Sequence, residues 1–170
     1  MGKTRHVLNI RSESGLKVEE IELIEVAAHF FLRELGNIKP IDKIRGEIIV
    51  VDQILSESAN EPLSGDMMEI KDYYLDGDKK KNYYVCRLAD YINSAETIRT
   101  LAHELVHVWQ TENGALRTTS ENEWFWKGKS FGVNPYKGTE DDFLLPWEKE
   151  ADILDLKLTR KFYRKYFSNW

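Results

Sequence analysis

The residues best suited to chemistry in this chain are two histidines and a glutamate in the pentapeptide HELVH, residues 103–107. In a helix, residues four apart lie on one face, so the imidazoles of His103 and His107 stand one above the other. Two imidazole nitrogens placed in this way can bind one Zn²⁺. The carboxylate of Glu104 can then act as a general base toward a water molecule that the metal activates. The pattern predicts half of a catalytic zinc site.

The sequence around the pentapeptide favours a helix. Asn93 can serve as its N-cap, with Glu96 three residues later as in a capping box, and Gly114 is placed to end it. Between these residues runs one apolar stripe at helical spacing: Ile98, Leu101, Ala102, Leu105 and Trp109. The two histidines lie nearly opposite this stripe, so they can face a cleft while the other side packs on a core. An ordinary amphipathic helix with two solvated histidines would show the same pattern.

The third ligand of the site is expected to be a carboxylate. A catalytic zinc commonly has three protein ligands, but no histidine follows His107, and His6 and His29 lie far upstream. The best source of an acid is the segment PWEKEAD, residues 146–152, where Pro146 suits the first turn of a helix. A second apolar stripe supports this helix: Trp147, Ala151, Leu154, Leu158 and Phe162.

Two glutamates in this segment compete for the metal. Glu148 and Glu150 lie about 160° apart around a helix, so both cannot face one ion. Glu148 shares its helix face with Asp152 and Asp155. This face can therefore supply both a metal ligand and a second carboxylate that accepts a hydrogen bond from the free N–H of a ligand histidine. We therefore predict Glu148 as the third ligand, Asp152 as that supporting carboxylate, and Glu150 as the alternative ligand. A solvated helix charge is the ordinary role of each acid.

The two motifs together resemble the gluzincin group of zinc metallopeptidases, in which HExxH on one helix is followed by E-x-x-A-D on the next. Here the second motif occupies residues 148–152. The short chain and the run LPWEKEA are similar to the small single-domain minigluzincins and to SprT-like metallopeptidases of bacteria and phages. The aromatic segment WFWKGK, residues 124–129, is similar to one often found between the motifs. The resemblance covers residues 80–160, and the chain departs from SprT proteins proper in lacking a third histidine ligand.

This resemblance implies hydrolysis of a peptide or protein substrate with one Zn²⁺ per chain, bound by His103, His107 and Glu148. Glu104 would be the general base. An oxyanion-stabilising tyrosine or histidine is also implied, and Tyr136, between the motifs, is the candidate for it. The alternative is that Tyr136 only packs against its neighbours. Two alternatives stay open: a catalytically inactive zincin-like binding or regulatory protein, and a specialised protease acting on DNA-attached proteins or on a repressor.

The bulk properties are those of one ordinary globular domain: 170 residues, 42% hydrophobic and 31% charged. A net charge of −5 argues against nucleic acid as a partner. The single cysteine, Cys86, excludes an intrachain disulfide framework and is expected in the core. Neither a signal peptide nor a membrane-spanning stretch is apparent. We therefore expect no membrane partner, and the cytoplasm of a bacterium or of a phage-infected host cell as the compartment.

The order of predicted elements indicates a single zincin-like α+β domain over residues 1–170. We expect an N-terminal helix over 18–35, the metal-binding helix, a hairpin around Trp126 and a C-terminal third-ligand helix. A small, mostly antiparallel sheet is expected from strands at 5–11, 44–52, 67–75 and 83–89, the last two joined by a hairpin loop at 76–81. By analogy with small zincins, the strand at 83–89 is expected at the sheet edge, where an extended substrate can pair with it.

Overall fold

The computed structural model describes residues 6–55, 62–63, 65–74, 80–90 and 94–167. Asn93, the expected N-cap, and residues 76–79 of the expected hairpin loop lie outside this part of the chain. Within it the fold is α+β, with three α-helices and β-strands in mixed and antiparallel sheets.

The helices are α1 (Val18–Ile38), α2 (Ser94–Glu112) and α3 (Pro146–Tyr166). Helix α1 continues through Gly36 and ends before Lys39, which has an extended backbone. Lys39 precedes Pro40, and a residue before a proline is disfavoured in the helical conformation. Helix α2 is followed by Gly114 in the left-handed conformation, as predicted for its C-terminal stop. None of the described helices combines the length and the apolar character needed to cross a membrane.

Four strands form the main sheet, in the order β1 (Val7–Ser12), β2 (Arg45–Val51), β6 (Lys80–Ala89) and β5 (Gly65–Tyr74), while β3 (Ile54–Leu55) and β4 (Pro62–Leu63) pair separately. Strand β2 is parallel to both β1 and β6, and only β5 is antiparallel to its neighbour β6. The main sheet is therefore mixed rather than mostly antiparallel. Parallel neighbours need a crossover connection, and α1 occupies the connection between β1 and β2.

The edge of the sheet is not where the sequence analysis placed it. Strand β6, which contains residues 83–89, lies inside the sheet between β2 and β5. Among the described strands, β1 and β5 lie at the two edges of this sheet, and β5 packs beside α2 together with β6. Strands β5 and β6 are adjacent in sequence and antiparallel to each other. Their residue patterns did not indicate which of the two also pairs with β2.

The hydrophobic core joins the sheet to all three helices. Buried side chains of β2 and β6 pack in one cluster with those of the helices, among them Phe31, Ile48, Leu88, Leu105 and Phe162. Cys86 belongs to this cluster, as predicted. Because α2 packs against both the sheet and α3, its histidine-bearing face is directed to α3 while its apolar stripe stays in the core.

A second, three-stranded antiparallel sheet lies between α2 and α3 in the chain: β7 (Leu116–Thr118), β8 (Glu123–Trp126) and β9 (Lys129–Val133). The predicted hairpin around Trp126 is present. Its turn residues Lys127 and Gly128 both have positive φ, as a two-residue type I′ turn requires. Leu116 and Trp126 form a small buried cluster with Trp147, which anchors this sheet to the start of α3.

Gly65 at the start of β5 allows the edge strand to approach α2. A Cβ atom at this position would lie 2.5 Å from Thr100 Cγ2 and 3.2 Å from Glu104 Oε1. We expect Gly65→Ala to lower the free energy of unfolding by about 1–3 kcal/mol, the usual effect of overpacking. Thr100→Ser removes the clashing methyl group, so the double variant should recover part of this loss.

Thermal unfolding of Gly65→Ala, Thr100→Ser and the double variant measures this coupling. Gly36→Ala is a matched control, because a Cβ at that helical glycine meets nothing within 4 Å and should be neutral or stabilising. A double variant no more stable than Gly65→Ala alone would contradict the proposed contact.

Candidate metal centre

Helix α2 presents His103, Glu104 and His107 from one segment. Its apolar stripe is buried, with Leu101 and Ala102 inaccessible to solvent. Opposite the stripe, the rings of His103 and His107 lie edge to face, with centroids 4.8 Å apart. Their Nε2 atoms are 3.1 Å apart. The one-turn spacing therefore brings two imidazole nitrogens to one point, as the sequence predicted.

Helix α3 brings Glu148 to the same point. Its Oε2 atom lies 3.1 Å from His103 Nε2 and 3.3 Å from His107 Nε2. The three atoms form a nearly equilateral triangle. Neighbouring ligand atoms around a tetrahedral zinc lie about 3.3–3.4 Å apart, given zinc bonds of about 2.0–2.1 Å. These donors thus have the right types and almost the right spacing to hold such an ion.

The charges of these groups favour a cation among them. Burial raises the pKa of Glu148, but the hydrogen bonds from His103 and His107 outweigh it and hold that pKa well below its usual range. Burial lowers the pKa of His103, but its bonds to Asp155 and Glu148 outweigh it and raise the pKa to about 10. The surroundings of these groups therefore favour positive charge at this point.

The outer nitrogen of His103 is held by carboxylates of α3. His103 Nδ1 lies 3.2 Å from Asp155 Oδ2 and 3.5 Å from Asp152 Oδ1. The predicted Asp152 does reach the ring, but its side chain is half-exposed. Asp155 is closer and buried, and it also accepts a hydrogen bond from Arg99. Asp155, one turn further along the same face of α3, is thus the main partner of the His103 ring.

The outer nitrogen of His107 is held by the buried side chain of Gln110. Gln110 Oε1 lies 2.9 Å from His107 Nδ1, while Gln110 Nε2 donates to the Trp147 carbonyl and to Glu150 Oε2. Because the amide nitrogen faces two acceptors, the amide oxygen faces the ring and accepts from it. His107 Nδ1 therefore carries a proton, and in the neutral ring Nε2 is the nitrogen that can bind a metal.

Glu150, the alternative ligand, lies away from the triangle of donors. Its two oxygens contact Gln110 and Lys127. Among the described residues, two groups of donor atoms converge as a metal site requires, and neither includes Glu150. They are His103, His107 and Glu148, and His103, Asp152 and Asp155. Glu150 supports the residue that orients His107, while Glu148 faces the two rings.

Tyr136, the expected oxyanion stabiliser, contacts the third ligand directly. Its hydroxyl donates to Glu148 Oε1 and accepts from Trp147 Nε1 at 2.8 Å. The Trp147 ring is inaccessible to solvent, stacks on Trp124 and meets Phe131 edge to face. Burial and the charge of Glu148 raise the pKa of Tyr136, so the phenol keeps its proton.

Glu104, next to His103 on α2, extends toward the start of β5. It is buried, with 7% of its surface exposed, and its Oε1 approaches Gly65. Burial raises the pKa of Glu104, although the charges of His107 and His103 oppose this effect. A carboxylate with a raised pKa is a stronger base, which suits proton transfer near neutral pH.

Sequence reasoning missed Gln110 and Trp147 as parts of the centre and ranked Asp155 below Asp152. Gln110 follows His107 by three residues and so shares its helix face. That spacing was the only available signal, since glutamine is common on solvated helix faces. The role of Trp147 depends on its contacts with Tyr136 and Gln110, which no local pattern reveals.

Comparisons with protein-family models, with curated proteins and with solved structures found no match to this chain. The fold and the site therefore define it only as an α+β protein with a candidate two-histidine, one-carboxylate metal centre at the junction of α2 and α3.

Proposed function

We propose that this protein is a zinc-dependent metallopeptidase of the zincin-like, gluzincin type. One observation carries the proposal: His103 Nε2, His107 Nε2 and Glu148 Oε2 converge within 3.3 Å of one another, with the buried carboxylate of Glu104 on the same helix. Two imidazoles and one carboxylate are a common ligand set of hydrolytic zinc sites. The E-x-x-A-D motif that carries Glu148 supports the same class.

Glu104 distinguishes a catalytic centre from a purely structural one. A zinc ion bound by the three ligands would lower the pKa of a water molecule and polarise a peptide carbonyl. Glu104 would act as the general base that takes a proton from water and delivers it to the leaving amine. A structural site or an inactive binding protein needs no such base, so a buried glutamate at this position favours the enzyme over that alternative.

Strand β5 is the proposed binding surface for the substrate backbone. It is one of the two outer strands of the main sheet, and among the described strands it pairs only with β6. An extended peptide can add to such an edge through main-chain hydrogen bonds. Since β5 begins at Gly65, beside Glu104, a peptide paired there would pass the base. The substrate class is therefore a peptide or an unfolded protein segment.

The test uses the purified full chain. We expect about one zinc per chain by elemental analysis and new N-termini, detected by mass spectrometry, after incubation with a library of proteome-derived peptides. Treatment with 1,10-phenanthroline should abolish cleavage, and added zinc should restore it. Zinc binding without any cleavage would support the inactive binding protein instead, and a chain that binds no zinc would refute the metal centre.

A further inference from the structure

The two oxygens of the Glu148 carboxylate have separate partners. Oε2 faces the two histidine rings, at 3.1 and 3.3 Å from their Nε2 atoms. Oε1 accepts a hydrogen bond from the Tyr136 hydroxyl. The hydrogen bond to Oε1 therefore favours the orientation in which Oε2 faces the imidazoles.

The direction of the hydrogen bonds through Tyr136 is determined by the groups at both ends. The indole N–H of Trp147 can only donate, so the Tyr136 oxygen must accept there. An ionised carboxylate can only accept, so the one proton of Tyr136 goes to Glu148. The chain of donors therefore runs from Trp147 through Tyr136 to Glu148, and it leaves Tyr136 no proton for another acceptor.

Trp147 also contacts Gln110, the residue that orients the ligand His107. Its backbone carbonyl accepts from Gln110 Nε2 at 3.0 Å, and the oxygen of the same amide holds His107 Nδ1. The residue cannot easily move, because its ring is fully buried among Trp124, Trp126 and Phe131. Trp147 is thus connected through Gln110 to His107 on α2 and through Tyr136 to Glu148 on α3.

We propose that Tyr136 is a positioning residue for the third metal ligand, not an oxyanion stabiliser, and that Trp147 sets the orientation of Tyr136. This inference rests on the proposed metal centre. Partners of metal ligands stabilise binding by fixing the orientation of those ligands. The loss of the Tyr136 hydroxyl would therefore weaken metal binding itself, whereas the loss of an oxyanion stabiliser would slow turnover of an enzyme that still binds its metal normally.

The experiment measures zinc affinity by competition with a chromophoric chelator. Tyr136→Phe removes only the hydroxyl, and we expect it to weaken zinc binding about 10- to 100-fold. Trp147→Phe removes the indole N–H and should weaken binding in the same direction, by less. The absorption spectrum of the cobalt-substituted protein should change in both variants, because it reports the coordination of the metal.

Two matched controls separate the hydrogen bonds from general packing. Tyr166→Phe removes a hydroxyl from the far end of α3, where the ring packs on Phe30 and Phe162. Trp126→Phe shrinks a ring in the same aromatic cluster that is not the donor to Tyr136. Tyr166→Phe should bind zinc and cobalt as the unmodified protein does. Trp126→Phe should weaken zinc binding by less than Trp147→Phe, because it changes the packing around Trp147 but keeps the indole N–H of that residue. Circular dichroism checks that every variant is folded.

Unchanged zinc affinity in a folded Tyr136→Phe variant that only turns over more slowly would overturn the inference and assign Tyr136 to the oxyanion. Equal weakening by Trp126→Phe and Trp147→Phe would overturn the role of the indole N–H. Should Trp147→Phe fail to fold, Tyr136→Phe decides the question. A failure of the unmodified protein to bind zinc would instead refute the metal centre, which distinguishes that result from the others.

Discussion

The Glu104→Gln variant should bind zinc as the unmodified protein does and lose peptide hydrolysis by about 10²- to 10⁴-fold, the usual contribution of a general base. Glutamine has the shape of glutamate, so the buried position between α2 and β5 keeps its packing. The amide cannot take a proton from water. The measurement is kcat/KM for one cleaved peptide together with the zinc content of the same sample.

Glu96→Gln provides the matched control for this result. Glu96 is an exposed residue of the same helix, two turns before His103, and the change removes the same charge. Its kcat/KM should equal that of the unmodified protein. Full activity of Glu104→Gln on every cleaved substrate would refute the role of Glu104 as the general base.

Replacement of Glu148 by alanine should weaken zinc binding at least about 100-fold, more than the loss of a residue that only supports a ligand. Glu150→Ala should have a much smaller effect, because Glu150 contacts Gln110 and Lys127 and not the two Nε2 atoms. The two variants remove the same side chain two residues apart on α3, so each controls for the other. Competition with a chelator measures both affinities, and the reverse order would make Glu150 the ligand.

Local patterns predicted most of the helices and strands. The start of α3 at Pro146 and the stop of α2 at Gly114 follow from the fixed φ of proline and the left-handed freedom of glycine. The hairpin around Trp126 follows from the turn at Lys127 and Gly128. These features depend on a few neighbouring residues, and the sequence shows all of them.

The pairing of the strands was harder to predict from the sequence. The alternation of apolar residues indicates that β2 and β6 are strands, but it does not say that they are parallel neighbours. That pairing joins residues nearly forty positions apart, such as Ile48 and Cys86. The same long-range pairing places β6 between β2 and β5. The prediction that residues 83–89 form an edge strand was therefore wrong.

The candidate site was predictable where one helix determines it. His103 and His107 share a face of α2, and the face of α3 that carries Glu148 also carries Asp152 and Asp155. The preference for Asp155 depends on which turn of α3 is buried against α2, because a buried carboxylate needs partners such as Arg99. Helix packing of this kind cannot be read from the spacing within one helix.

The buried amide of Gln110 has a consequence for ion selection. Together with Asp155 it orients both rings before any ion is bound. A cation binding at the proposed centre would meet donors that already point inward, so little conformational entropy would be lost on binding. A rigid centre of this kind would discriminate among ions by how well each tolerates the coordination geometry that the protein imposes.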